Sequence, residues 1–189
     1  MSDPDRDVVR AIRGGDREAL ADLVQRYQRR LFGLVLMIVR RQPAAEEVTQ
    51  DAFVRAFMHI GQYDEARPFY PWLAAIAVRL SQNWLYRHNR TADREGTALD
   101  AAPEPAAAAQ ALRELIAGER DRRIWEAVAA LTSGERTAVI LYYREEMPVR
   151  DIALALGVTT GTVKTLLFRA RRHLREHLGS AMEETRWIH

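Results

Sequence analysis

Residues 157–178 combine basic, hydroxyl-bearing and aromatic side chains, which is the composition of a surface that binds nucleic acid. Arginine and lysine bind phosphate oxygens, whereas threonine hydroxyls and apolar rings contact base edges. Five basic residues stand here against one acid, Glu176, although acids and bases mix almost evenly elsewhere. A solvated helix face is the alternative interpretation, but the apolar ring of Phe168 lies among the cations and favours DNA contact. The candidate DNA-binding residues are Thr160, Thr162, Lys164, Thr165, Phe168, Arg169, Arg171, Arg172 and Arg175.

Two short helices joined by a tight turn are expected to position these residues. The first is the amphipathic segment PVRDIALAL, which has Pro148 at its start, where proline is tolerated. Gly157 then serves as a left-handed helix cap, and Thr159 or Thr160 can cap the second helix. The second helix has an apolar side made of Val163, Leu167, Ala170, Leu174 and Leu178. This pattern predicts a helix-turn-helix motif with a basic outer face.

The first half of the chain also has helical periodicity. Asp16 is expected to cap a long helix that ends before Pro43, and a second helix is expected to begin near Ala44. Residues 61–71 contain turn formers and three aromatics, so we expect a loop there and a third helix over residues 72–90. Two apolar stripes predict the core faces of the second and third helices: Val48, Ala52, Phe53, Ala56 and Ile60, then Trp72, Ile76, Leu80 and Trp84.

Residues 91–112 differ in composition from the rest of the chain. They contain alanine, proline and charged residues but few large apolar ones, so they cannot bury enough surface to offset the entropy of ordering. We therefore predict a flexible linker. Four short, closely spaced helical segments follow it, and no segment shows sustained strand alternation. The predicted fold class is all-α, with two small helical domains joined by a flexible linker.

Composition and spacing exclude several kinds of function. The net charge of the 189 residues is only +2, so local clustering is the only charge argument for nucleic acid. The chain has no cysteine, which excludes disulfides and thiol chemistry within it. The longest apolar run, residues 31–39, is too short to span a bilayer, so we expect a cytoplasmic protein without membrane insertion.

Catalysis, metals and cofactors are not expected. His173 and His177 have the i, i+4 spacing of metal ligands, but no third ligand is near in sequence, so we expect two polar surface residues. The sequence has no glycine-rich phosphate loop and no plausible nucleophile–base pair. We therefore expect a binding protein and not an enzyme.

Three strings together carry a resemblance to a known family. They are AEEVTQDAFVRAF (residues 45–57), FYPWLAAIAVRLSQNWL (residues 69–85) and LTSGERTAVILYYREEMPVRDIALALGVTTGTVKTLLFRARRHLR (residues 131–175). In order and spacing, the chain closely resembles the extracytoplasmic-function (ECF) sigma factors of bacterial RNA polymerase. The resemblance implies a protein that binds core RNA polymerase, recognises the −10 and −35 promoter elements and initiates transcription. It also implies an anti-sigma factor as a partner and no cofactor.

The resemblance implies two regions with different functions. Sigma region 2 covers residues 1–90, docks on the polymerase clamp and opens the −10 element. Sigma region 4 covers residues 113–178, binds the −35 element and engages the polymerase flap. Residues 91–112 form the linker, and residues 179–189 lie outside the family core.

Matching the sequence to the motifs of this family implies two functional surfaces in region 2. Those that match the face docking on the clamp helices are Glu46, Glu47, Gln50, Asp51 and Arg55. Those that match −10 recognition and melting are Tyr63, Phe69, Tyr70, Arg79, Asn83, Arg87 and Arg90. Aromatic rings would hold an unstacked base, and cations the displaced strand. The chain departs from the family where Arg79 replaces a usual asparagine and Leu166 a frequent arginine.

A different class of function stays open beside this one. If only the C-terminal third is considered, the natural interpretation is a helix-turn-helix transcriptional regulator whose N-terminal domain senses a signal or dimerises. The acidic face and the aromatic loop argue for the sigma interpretation.

Overall fold

A computed structural model describes residues 5–95 and 119–178, and within these ranges the chain is helical with no strand. It divides into two compact units, Met1–Ala108 and Ala109–His189. The all-α class with two helical domains is confirmed. The rest of the predicted linker, residues 96–112, and the tail, residues 179–189, lie outside the described residues.

The first unit is a bundle of helices around a core of leucine, isoleucine, valine and phenylalanine. It contains α1 (Asp5–Arg13), α2 (Arg17–Val39), α3 (Gln42–Met58), a 3₁₀ turn (Ile60–Gln62) and α4 (Phe69–Glu95). Helices α2, α3 and α4 pack against one another, and α1 packs on α2. The largest fully buried side chains of this unit come from α1, α2 and α4, among them Val9, Leu23, Leu31, Leu34, Ile38, Phe69 and Leu73.

Local sequence determines where the helices of this unit begin and end. Asp16 caps α2 as predicted, since its carboxylate accepts hydrogen bonds from the backbone N–H groups of Glu18 and Ala19 at 2.8 and 3.2 Å. Helix α2 ends at Arg40, which takes up the left-handed conformation at φ 60°. Pro43 lies in the first turn of α3, where a missing N–H costs nothing, so α3 begins slightly earlier than predicted.

Three boundaries differ from the prediction. Helix α1 was not predicted, because its nine residues are mostly charged and bury mainly Asp5 and Val9. Helix α4 begins at Phe69, inside the predicted loop, since Pro71 falls in its first turn and needs no intrahelical donor there. The same helix continues past residue 90 to Glu95, so the linker does not begin at residue 91.

The second unit packs its helices on one long C-terminal helix. It contains α5 (Glu119–Ala129), α6 (Ser133–Val139) with a π turn (Ile140–Arg144), α7 (Val149–Leu156) and α8 (Thr160–Leu178). Helices α5, α6 and α7 each contact α8. The core side chains are Val128, Leu131, Ile140, Leu141, Met147, Ile152, Val163, Leu167 and Leu174.

Among the helices that the structure describes, no single one is long and apolar enough to cross a bilayer. The bent pair α7 and α8 reaches that length and composition only when the two are taken together.

Candidate nucleic-acid interface

Helices α7 and α8 form the predicted helix-turn-helix. They are bent by 101° from each other, within the range of about 90–120° for this motif. Gly157 caps α7 at φ 68°, a conformation that glycine adopts without strain. Thr159, one of the two predicted caps, starts α8, because its hydroxyl accepts a hydrogen bond from the Thr162 N–H at 3.1 Å. The prediction of this motif is confirmed down to its capping residues.

The two sides of α8 separate as the sequence predicts. Val163, Leu167, Ala170 and Leu174 are buried, and Leu178 is half-buried. All nine candidate DNA-binding residues are exposed. One side of α8 carries four of them in a stripe, with neighbours about one helix turn apart: Lys164, Phe168, Arg171 and Arg175. The ring of Phe168 is 65% exposed, which is an unfavourable position for an aromatic side chain unless something covers it.

Some side chains of this face make contacts within the unit. The Arg171 guanidinium donates from Nε to the Tyr143 hydroxyl at 2.8 Å and lies 5.9 Å from the centre of that ring. The Thr165 hydroxyl donates to the Gly161 carbonyl at 3.0 Å, and Arg172 lies 3.9 Å from Glu176. These contacts orient the side chains without removing them from solvent. Tyr143, half-buried on the π turn, was not predicted as part of this face.

His173 is not the simple surface residue that the sequence predicted. Its Nδ1 lies 3.2 Å from Oε2 of Glu135, a buried carboxylate on α6. Glu135 also forms a capping box with Thr132, in which the Thr132 N–H donates to the carboxylate at 3.3 Å. Burial raises the pKa of Glu135, but the hydrogen bonds from Thr132 and His173 outweigh it, so the pKa is lowered overall. His177 is exposed, and the described residues contain no group of three side chains able to hold a metal ion.

A second candidate surface lies on α3. Glu46, Glu47, Gln50, Asp51 and Arg55 are all exposed, as a docking face requires. Two large apolar side chains, Val54 and Met58, are 55% and 75% exposed on the same helix. Glu47, Asp51, Val54 and Met58 recur at i, i+4, i+7 and i+11, so they share one side of α3. Apolar side chains beside charged ones are typical of a protein-binding surface.

A third candidate surface lies along α4. Arg79, Asn83 and Arg87 are exposed and four residues apart, so they form one polar stripe. Tyr86 adjoins this stripe and is 62% exposed. The backbone of Arg90 belongs to α4, but its side chain lies outside the described residues.

The three aromatics assigned to an unstacked base are buried. Tyr63, Phe69 and Tyr70 are at most 5% exposed. Phe69 lies at the centre of a cluster, with ring centroids 5.8 Å from Tyr27, 5.4 Å from Tyr63 and 5.7 Å from Trp72. The Arg30 guanidinium lies 3.8 Å from the centre of the Tyr70 ring. Together these rings fill the core where α4 begins against α2, so this structure does not present them on its surface.

Comparison with known proteins decides the family. Residues 23–91 match the model of sigma-70 region 2, and residues 121–174 match the model of sigma-70 region 4. The RNA polymerase sigma-H factor of Pseudomonas aeruginosa is 30% identical over 188 residues, which cover 95% of this chain and 96% of that protein. The chain belongs to the sigma-70 family. Within that family it is an ECF sigma factor.

One further relative by sequence and one solved structure are similar to this sigma factor. The probable RNA polymerase sigma factor RfaY of Xanthomonas campestris is 33% identical over 170 residues, which are 87% of this chain and 41% of that longer protein. The co-crystal structure of the sigma factor RpoE with the anti-sigma factor NepR from Bartonella quintana gives a TM-score of 0.66 at 21% identity. It covers 84% of this chain and 95% of that one. The structural likeness supports the fold.

One departure of this sigma factor from the family pattern has a structural reason. Leu166 is half-buried, and its Cδ2 lies 3.4 Å from where a Cβ would stand on Gly134. The side chain therefore packs over the first turn of α6 instead of extending freely into solvent. A frequent arginine of the family is replaced here by a packing residue.

Proposed function

We propose that this sigma factor divides promoter recognition and polymerase docking among the three exposed faces described above. The observation that carries the proposal is that every candidate side chain described on α3, α4 and α8 is exposed, apart from Phe69 and Tyr70. We assign region 2 to the chain up to Glu95, and region 4 to residues 113–178 of the second unit.

Helix α8 is proposed to enter the major groove of the −35 element. In helix-turn-helix proteins the N-terminal residues of the second helix contact base edges. Lys164, Thr165 and Phe168 occupy that part of α8, and Phe168 can contact a thymine methyl group. The arginines of the C-terminal half bind phosphates, which adds affinity without adding sequence specificity. Their exposure and their excess over acids support this division.

Helix α4 is proposed to hold the −10 element. Arg79 and Arg87 supply positive charge for the phosphate backbone, and Asn83 can hydrogen-bond to a base edge. Because Tyr63, Phe69 and Tyr70 are buried, we assign base stacking to the exposed ring of Tyr86. This assignment replaces the one that motif position implied.

Helix α3 is proposed to dock on the clamp of core RNA polymerase. Glu47 and Asp51 supply charge complementary to a basic partner, and Val54 and Met58 supply the apolar contact. The second unit is proposed to engage the polymerase flap.

Regulation by an anti-sigma factor is also proposed, with the cytoplasm as the site of action. It is supported by the solved sigma factor of the same fold, which is in complex with an anti-sigma factor. No catalytic step is assigned to this chain.

Reconstitution tests the proposal. The full chain is added to core RNA polymerase, and run-off transcripts are measured on a promoter library. We expect binding to core and transcripts from a subset of promoters, and weak binding to duplex DNA without core. Tight binding to duplex DNA with neither core binding nor transcripts would support the transcriptional regulator instead.

The residue assignments have their own test. Lys164→Ala is expected to weaken promoter use and to reduce the salt slope of DNA binding by about one, because one phosphate or base contact is lost. Its affinity for core should stay at the wild-type value. A fall in core affinity equal to the fall in promoter use would contradict the assignment.

A further inference from the structure

The connection between α3 and α4 has a defined shape instead of being an open loop. The Tyr63 ring is buried, and its hydroxyl donates to the Arg67 carbonyl. The Asp64 carboxylate accepts from the Ala66 N–H at 2.9 Å, and the Arg67 N–H donates to the Asp64 carbonyl at 3.0 Å. These bonds close a compact turn just before Phe69, where α4 begins.

One side chain from outside the connection also binds it. The Arg13 guanidinium, on the last turn of α1, donates to the Ile60 carbonyl at 2.9 and 3.2 Å and to the Tyr63 carbonyl at 2.7 Å. It also lies 2.5 Å from the Glu65 carboxylate, which Arg10 binds at 2.9 Å. A planar guanidinium is the side chain best able to satisfy several acceptors at once. Arg13 thus ties the 3₁₀ turn and Glu65 to α1.

These contacts leave the outer part of the connection accessible. Arg13 uses two backbone carbonyls and Glu65, while Gly61, Gln62, Asp64 and Arg67 remain exposed. The connection leads directly into the helix whose exposed stripe we assign to the −10 element. Its exposed edge is therefore presented in a fixed shape at the start of that helix.

We infer that Arg13 is a positioning residue for promoter opening. It holds the connection, residues 60–68, in the shape that receives the unpaired strand of the −10 element. This inference rests on the proposed role of α4 in holding the −10 element. A connection that is ordered before DNA arrives loses less entropy on binding, so its contacts contribute more fully to capture of the strand. Helix α1 would then act on strand capture through the connection.

The test compares Arg13→Ala and Arg13→Lys with the matched control Arg10→Ala, all in the full chain with core RNA polymerase. Arg10→Ala removes a cation from the same helix and the same Glu65 contact but leaves both carbonyl contacts in place. Opening is measured on a promoter found by run-off transcription, with a fluorescent adenine analogue in the −10 element. Core affinity and the melting temperature of each variant are measured in parallel.

We expect Arg13→Ala to open about tenfold less promoter at equal core affinity, because charged hydrogen bonds to the connection are lost. Arg13→Lys, which keeps the charge but not the planar fork, should be nearly as defective, and Arg10→Ala should open the promoter as the wild type does. Equal opening by Arg13→Ala and the wild type would overturn the inference. So would a loss of core affinity as large as the loss of opening, since Arg13 would then only hold the bundle together. If the wild type itself opens no promoter, the proposed function fails and not this inference alone.

Discussion

Reversing the acidic charge of α3 is expected to separate polymerase binding from folding. The change is Glu47→Lys with Asp51→Lys, at two exposed positions one helix turn apart. The local charge goes from minus two to plus two without altering a buried side chain. A basic partner that attracts the wild-type surface would be repelled by the variant.

The cost to the fold is small. Exposed substitutions of this kind usually change the free energy of unfolding by about 0.5 kcal/mol or less each. The second of the two introduced lysines would also stand four residues before Arg55, and a like-charge pair at that spacing costs about 0.2–0.5 kcal/mol. The sum is at most about 1.5 kcal/mol, which a domain of ordinary stability tolerates.

The cost to binding is larger. Like charges brought together in an interface cost several kcal/mol, so about 2 kcal/mol for each reversal is a conservative figure. Two reversals then cost about 4 kcal/mol, and because about 1.4 kcal/mol is tenfold in affinity, we expect core affinity to fall about a thousandfold. The loss should shrink at high salt, since exposed charges are screened.

The assay is competition for core RNA polymerase against labelled wild-type protein, with thermal melting as the test of folding. The control is Glu18→Lys with Asp22→Lys, which makes the same charge change at two exposed residues one turn apart on α2. The control also loses a favourable acid at a helix start, worth about 0.3–1 kcal/mol, so it should disturb the fold at least as much as the α3 variant does. Core affinity of the α3 variant within about threefold of the control would refute the reasoning about this face.

Three further changes test other parts of the structure. Tyr86→Ala should leave core affinity unchanged and lower promoter opening about tenfold, because stacking on an aromatic ring is worth about 1–3 kcal/mol per base; unaltered fluorescence of the −10 base analogue would count against it. Leu166→Arg should strengthen DNA binding and steepen its salt slope by about one, because an arginine stem can keep the contact over Gly134 while its head reaches solvent. Glu135→Gln should destabilise the second unit by about 1–3 kcal/mol at neutral pH. Because the pKa of Glu135 is lowered in the folded state, the ionised carboxylate stabilises the fold at pH values above the unfolded-state pKa. This stabilisation is lost as the pH falls through the folded-state pKa. The melting temperatures of variant and wild type should therefore converge in acid.

Local signals were enough to predict the helix-turn-helix. Gly157, Thr159 and the stripe of Val163, Leu167 and Ala170 all act within a few residues of their own position, and the structure has each where it was expected. The same holds for Asp16 at the start of α2. Caps and apolar periodicity are properties of a single helix, so no knowledge of the tertiary structure is needed to recognise them.

Contacts distant in sequence could not be predicted in this way. His173 pairs with Glu135, and Arg13 with the connection between α3 and α4, across separations for which no periodic pattern exists. Helix α1, whose residues are mostly charged, also depends on contacts of this kind. Its buried Asp5 depends on the Arg26 guanidinium and the Tyr27 hydroxyl of α2, to which it is hydrogen-bonded.

The burial of these aromatics was not expected, because the segment that holds them has the composition of an exposed loop. Tyr63, Phe69 and Tyr70 fall in a segment rich in turn formers, which favours exposure only when no core lies beneath the segment. The exposure of Tyr86 could have been predicted, since it stands three residues after Asn83 and therefore near the polar side of its helix.

The burial of Tyr63, Phe69 and Tyr70 suggests a supporting role for these rings in the promoter opening that we propose. Burial of three rings at the start of α4 makes the base of the connection rigid, and the Arg13 contacts add a second restraint at its other end. Side chains that were expected to bind DNA instead hold in place the segment that we propose does so. Exposed polar residues on a rigid support lose less entropy on binding than the same residues on a mobile loop. Mutations in the buried cluster should therefore affect folding first, whereas substitutions at Arg79, Asn83 or Tyr86 should affect promoter opening while the bundle stays folded.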